Sequence, residues 1–507
     1  MTSAAVDERV ADSAQPDVVP PDVRAALTPQ LPGDRLRGWI VAGVVTAIAA
    51  VLRFVGITHP KGFIFDEVYY AQDAHHLLNH AVEWDVDQQV GSYVAHPPFG
   101  KWCIAVGEWI FGYNELGWRA PSAVAGVVSV LLITLLARRL TGSTILGGTA
   151  GLLMAVDGLH LVLSRVALLD IFLMLFLVAG FYCLVKDRDA RRLRWLRALE
   201  LGLDPMRRRP AFQIPWWRIS AGVMCGLAMG VKWSALWFIV AFLLIMFVWE
   251  WQLRRTIGTP VPILDALLDE IGWLIAFGMT SIVTYVATWT GWFATDTGSY
   301  RHWLAEQGSS EYPVIGPLYN LWQYHLDVLD FHEQLNSPHA YQSWPWQWIL
   351  DARPVVFFWS DDVDCGAKEC ASEVLLLGTP LLWWLFVPAL IAVLWWGLVR
   401  RDWRAGLVLT GAAAGLVPWL FYPDRTMFFF YALPAEPFLV LAVVFAFGLI
   451  IGPPDASVER RLAGSLTCAG IVVLIMLCFS YFWPIFTGQP LTQEAWDARM
   501  WLDDLWV

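Results

Sequence analysis

Apolar runs of roughly 18 or more residues recur along the whole chain, each long enough to cross a hydrocarbon core about 30 Å thick. Eleven spanning helices are predicted, at about 38–57, 119–138, 144–161, 167–185, 219–232, 235–252, 271–291, 375–398, 405–421, 427–450 and 464–486. The expected class is an all-α polytopic membrane protein. The stretch 102–116, "WCIAVGEWIFGYNEL", is too short to span comfortably and carries Glu108, so it is expected to be interfacial or re-entrant.

Charge supplies the orientation. Residues 186–218 hold ten Lys or Arg against four acids, and "RRL" at 138–140, "QLRRT" at 252–256, "VRRDWR" at 399–404 and "VERR" at 458–461 are the other basic links. With eleven spans all five fall on one side, together with the Arg-containing N-terminal tail. The positive-inside rule makes that side the cytoplasm. The 292–374 loop carries twelve acids and three basic residues and falls outside, as does 58–118. Three regions follow: a disordered cytoplasmic tail over 1–36, a transmembrane domain over 37–486, and an external tail over 487–507. In that last tail Trp496, Met500 and Trp501 are spaced for an interfacial helix. The tail over 1–36 lacks the pattern of a cleaved signal peptide. A net charge of −11 argues against a nucleic-acid partner.

Of seven cysteines, five lie in apolar stretches and read as small hydrophobes. Cys365 and Cys370 share the polar "CGAKEC", which suits a small disulfide in an oxidising compartment better than a metal site.

The outer face should be poor in cations, yet Arg53, Lys101, Arg119, Arg165, Lys232 and Arg425 all fall at or near it. Any one of them reads equally as a snorkelling side chain or an ion-pair partner. Six together suggest an anionic ligand at the outer leaflet, and a lipid phosphate is the anion found there. Nearby, "FIFDEVYYAQDAHH" sets Asp66 and Glu67 side by side just past the first span. Two neighbouring carboxylates supply too few oxygens for Ca²⁺ or Mg²⁺. They would serve as ion-pair partners of Arg53 or Lys101, or one would act as a general base for a hydroxyl attacking a carbon that carries a phosphate leaving group. Arginine and lysine would then hold the departing charge without a metal or cofactor.

In order and spacing, "FDEVYYAQDA", "HPPFGKW", "WRAPSA", "LSRVALLD", "VKWSALW" and "RTMFFFYALPAEPF" resemble the protein O-mannosyltransferase family, over about residues 38–450. That family belongs to the membrane-embedded C-type glycosyltransferases. The resemblance implies inverting transfer of mannose from polyprenyl-phosphate-mannose to Ser or Thr hydroxyls of exported polypeptides, in a bacterial plasma membrane. Membrane lipids are partners, and the export machinery would be one where the acceptor arrives unfolded. Carried over by motif, Asp66 is the expected base and Glu67 helps to hold the acceptor or order the site. Arg119 and Arg53 are expected in donor handling, and Lys101, Lys232 and Arg425 in the phosphate pocket. His96 either orients the first outer loop or is structural beside its Pro-Pro turn. Arg165 and Asp170 are expected to pair across one helical turn, mainly for structure. Tyr431 stands where members often show His, and 292–374 is too short for the β-trefoil insertion of eukaryotic members. A related transferase moving another lipid-linked sugar, such as an aminoarabinose, onto a glycolipid would share most of these features. A secondary transporter would instead show paired discontinuous helices and related halves, which the sequence lacks.

Overall fold

The computed structural model describes residues 19–506. Helices occupy all eleven predicted runs, with shifted ends. Among the described residues, eight helical segments are long and apolar enough to cross a membrane. The chain is a multi-pass membrane protein. The other three runs differ in kind. Asp170–Glu200 runs on into the basic stretch, and Trp216–Met229 has 14 residues. The run at 144–161 is broken into Thr144–Ala155 and Gly158–Leu163. Asp157 sits in that break and accepts from the backbone N–H of His160 and Thr379 and from Trp383 Nε1. Irregular backbone at this depth is tolerated because its polar groups are satisfied inside the protein. Glu436–Ile451 is buried on nearly all sides and forms the centre of the bundle, as expected of a helix apolar all round.

The basic links meet at one end. Arg138 pairs with Asp34, Arg139 with Asp189, Arg218 with Asp187, and Arg191 with Glu250 and Glu270. Arg404 reaches the Leu140 carbonyl. Of the expected disordered tail, 1–18 lie outside the described residues. Pro21–Leu27 is a short helix, and its Leu27 is buried with Trp195, Leu196, Leu253 and Ile257 at this basic end.

The opposite end carries the long connections. The 58–118 segment forms the helix Glu67–His80, a two-stranded ribbon (Trp84–Asp85 with Val90–Gly91) and the helix Phe99–Phe111. That last helix is 13 residues, too short to span, and folds back onto Glu115–Thr141. A Cβ on Gly107 would lie 2.3 Å from the Gly117 carbonyl oxygen, so the hairpin closes only with glycine there. In 292–374 the class is not all-α. Val355–Ser360 pairs antiparallel with Cys370–Leu376, which pairs in turn with Leu491–Thr492 from the C-terminal tail. The run predicted to begin a span at 375 is therefore strand to Leu376, and its helix starts at Pro380. Cys365 and Cys370 form a disulfide in the connection between the two longer strands. Among the described residues the tail holds a five-residue α-helix, Gln493–Asp497, and a 3-10 turn, Asp503–Leu505, in place of the expected interfacial helix. It docks on 292–374 through Trp506 Nε1 to the Asp351 carbonyl and Trp496 Nε1 to Glu373.

Candidate active site

Phe65 has φ +49°, a left-handed conformation unfavourable for a bulky residue, and its ring stacks on Phe357 at 4.3 Å. After this turn the chain enters Glu67–His80, and the two acids part company. Glu67 is fully buried. Its oxygens accept from Arg119 Nε and Nη2, both at 2.8 Å, and from the N–H of Ile64 and Ala167. Asp66 is half-buried, and its carboxylate takes no hydrogen bond or ion pair among the described residues. Burial pushes its pKa up to about 6, against the nearby Lys232 charge and with that of Asp170.

The six cations separate into three groups. Arg119 spends its remaining donors on the carbonyls of Ile57, Pro60 and Gly62. Its fork fixes the connection that carries Asp66 and leaves nothing for a phosphate. Arg53 is fully buried, against Ala49 and Ala155 carbonyls and His160 Nδ1. Arg165 does not pair with Asp170. It donates to the carbonyls of Leu52, Arg53, Val55 and Gly56, closing the C-terminal end of Arg35–Phe54. Those are carbonyls with no intrahelical partner, and the helix dipole favours a cation there. Arg119 thus braces the connection that carries the acids, Arg53 and Arg165 brace the helix Arg35–Phe54 and its end, and none of the three lines the cavity. Lys101 is buried against Glu83 and Asp73 of the 58–118 segment and so departs from the expected phosphate pocket.

The third group shares a cavity of about 320 Å³, lined by Lys232, Asp170, His96, Arg425, His332 and Tyr431, with Trp237, Phe238 and Trp419 on its apolar side. Lys232 Nζ lies 2.7 Å from Asp170 and 5.5–5.7 Å from the ring centroids of Phe430 and Tyr431. Arg425 donates to the His332 carbonyl, its Nη2 is 3.2 Å from His332 Nδ1, and its buried Nε has no partner among the described residues. His332 Nε2 lies 3.0 Å from the Ala95 carbonyl and so must carry a proton. Nδ1 is then the acceptor for Arg425. Burial and then Arg425 push the His332 pKa down to about 4, and burial with Lys232 holds His96 well below its ordinary value. Both rings are neutral at pH 7.

His332 is the residue that sequence reading missed. Its one signal was spacing: His325 and His332 lie seven apart, on one face of Ile315–Gln334, in a loop otherwise read as acidic. Among the described residues no group of three or more His, Cys, Asp or Glu converges as metal ligands would. A free carboxylate beside a cavity with two cations can take a proton from a hydroxyl and accommodate a phosphate nearby.

Two family models cover most of the chain. Dolichyl-phosphate-mannose-protein mannosyltransferase matches residues 43–300, and the C-terminal four TMM region of protein-O-mannosyltransferase matches 317–506. The chain belongs to the protein O-mannosyltransferase family. It is accordingly a membrane glycosyltransferase. It is 40% identical over 504 residues to a polyprenol-phosphate-mannose–protein mannosyltransferase of Mycolicibacterium smegmatis, covering 97% of this chain and 96% of that one. A protein of the same name from Mycobacterium tuberculosis is 39% identical over 487 residues, with 93% and 92% covered. The solved Saccharomyces cerevisiae Pmt1–Pmt2 complex bound to the sugar donor superposes with a TM-score of 0.74 at 14% identity, covering 96% of this chain and 94% of that one. That likeness establishes the shared C-type fold.

Proposed function

We propose that this protein transfers mannose from polyprenyl-phosphate-mannose to Ser or Thr hydroxyls of exported polypeptides. Asp66 accepts the hydroxyl proton as the oxygen attacks the anomeric carbon. The bond from that carbon to the phosphate oxygen breaks, and its electron pair leaves on the polyprenyl phosphate. A single displacement of this kind inverts the anomeric carbon. Lys232 and Arg425 stabilise the phosphate charge as it develops, a task that calls for no metal ion or other cofactor. Glu67 and Arg119 act by holding the turn that presents Asp66. The observation that carries this reading is the contrast between the neighbours: Glu67 is saturated by four donors, whereas Asp66 is unpartnered beside the cationic cavity.

In this reading the site end faces outward and the basic end lies in the cytoplasm, as the positive-inside rule requires. Eleven crossings of a bacterial plasma membrane then put the N-terminus inside and the C-terminal tail outside. The transmembrane domain spans 37–486, and the tail from 487 completes the outer sheet. The test is transfer of labelled mannose by purified protein to a Ser/Thr peptide in excess chelator, with analysis of the anomeric configuration. Loss of transfer in chelator, or a retained configuration, contradicts this chemistry.

A further inference from the structure

The strand Val355–Ser360 is an edge. Cys370–Leu376 pairs with it on one side, and on the other no helix or strand runs beside it among the described residues. Among the described residues its backbone makes no hydrogen bond except to that one neighbour. In an antiparallel pair alternate residues direct their N–H and C=O away from the partner strand, so this edge keeps a row of unused donors and acceptors. Sheets usually protect such a row with charge or proline. "VVFFWS" has neither within it, and Trp359 is 45% exposed. The irregularity between Val356 and Phe358 bends the strand at Phe357, the residue whose ring stacks on Phe65. Phe65 immediately precedes Asp66. The open edge and the unpartnered carboxylate are thus joined by one ring contact.

We propose that the acceptor polypeptide binds as an added strand along the outer edge of Val355–Ser360, which delivers its hydroxyl to Asp66. This inference rests on the reading above that the acceptor is a polypeptide. Strand addition takes its affinity from main-chain hydrogen bonds, with side-chain pockets serving specificity. Such a site accepts varied sequences provided the segment is extended and its amides are free. A lipid acceptor has no row of amides to offer.

The experiment uses the full-length protein in detergent with polyprenyl-phosphate-mannose and three alanine-rich peptides, each bearing one Thr. The first is unmodified. The second is N-methylated at the residues immediately before and after Thr, and the third at the residues two before and two after. N–H groups of one set face the edge and those of the other face away. One methylated peptide should lose roughly tenfold or more in kcat/KM, as loss of strand hydrogen bonds implies, and the other should stay within about twofold. The unmodified peptide should also slow hydrogen exchange across residues 355–360, and the poorly used one should not. Equal tolerance of both methylation patterns, or equal loss with both, overturns strand addition while leaving the transferase reading intact. No transfer to the unmodified peptide defeats the polypeptide-acceptor reading, and strand addition with it.

Discussion

At the scale of single residues, the pair at 66–67 shows how one position apart can mean opposite roles. Asp66 is held with its pKa raised to about 6. A base must be unprotonated, so kcat/KM should fall about tenfold per pH unit below about pH 6 and level off above it. A profile flat from pH 5 to 7 would remove Asp66 as the base. His332 positions Arg425 through Nδ1 and its carbonyl. His332→Ala should therefore raise the donor KM by roughly tenfold, the worth of about one charge-assisted hydrogen bond. An unchanged donor KM would show that Arg425 needs no such support. The acidic pair stood out in the sequence because carboxylates at the edge of an apolar run have few uses, and the choice of Asp66 within it came from the family motif. The work of each cation was not legible. Arg119, Arg165 and Lys101 take partners 18 to 113 residues away, and no local pattern encodes those contacts.

At the scale of elements, the buried arginines act as joints between helices and connections. Arg165 closes the end of Arg35–Phe54 with four carbonyl contacts. Arg119 and Glu67 tie Glu115–Thr141 to the turn that bears Asp66. Breaking that buried pair leaves an uncompensated charge, and Arg119→Ala should lower stability by about 3–5 kcal/mol. A thermal scan in detergent reads this directly. An unchanged midpoint together with a raised donor KM would return Arg119 to donor handling. The helices were legible from apolar length alone. The strand Cys370–Leu376 was not, because "EVLLLGTP" is a short continuous apolar run, which reads equally as strand or as the start of a buried helix. Its identity is decided by pairing with Val355–Ser360 and with a tail more than a hundred residues later.

At the scale of the whole molecule, the bundle has a basic end cross-linked by ion pairs and a site end built from chain segments that meet only in the fold. Orientation is tested with single cysteines at two exposed positions. Gln88→Cys should react with a membrane-impermeant thiol reagent on intact cells, and Arg208→Cys only after permeabilisation, each beside the parent protein as background. The reverse pattern would invert the assignment. That the molecule is a multi-pass membrane protein was legible because it follows from apolar length and composition. The cavity was not, since His96, Asp170, Lys232, His332 and Arg425 come from five separate stretches. The central claim is that Asp66 is the base for transfer of mannose to a protein hydroxyl. Its most direct test is transfer from labelled polyprenyl-phosphate-mannose to a Ser/Thr peptide by purified protein, wild type beside Asp66→Asn. The account predicts labelled peptide from wild type and loss of transfer in the variant, with donor binding and thermal midpoint retained. Transfer at the wild-type rate by Asp66→Asn, or label appearing only on lipid, would contradict it.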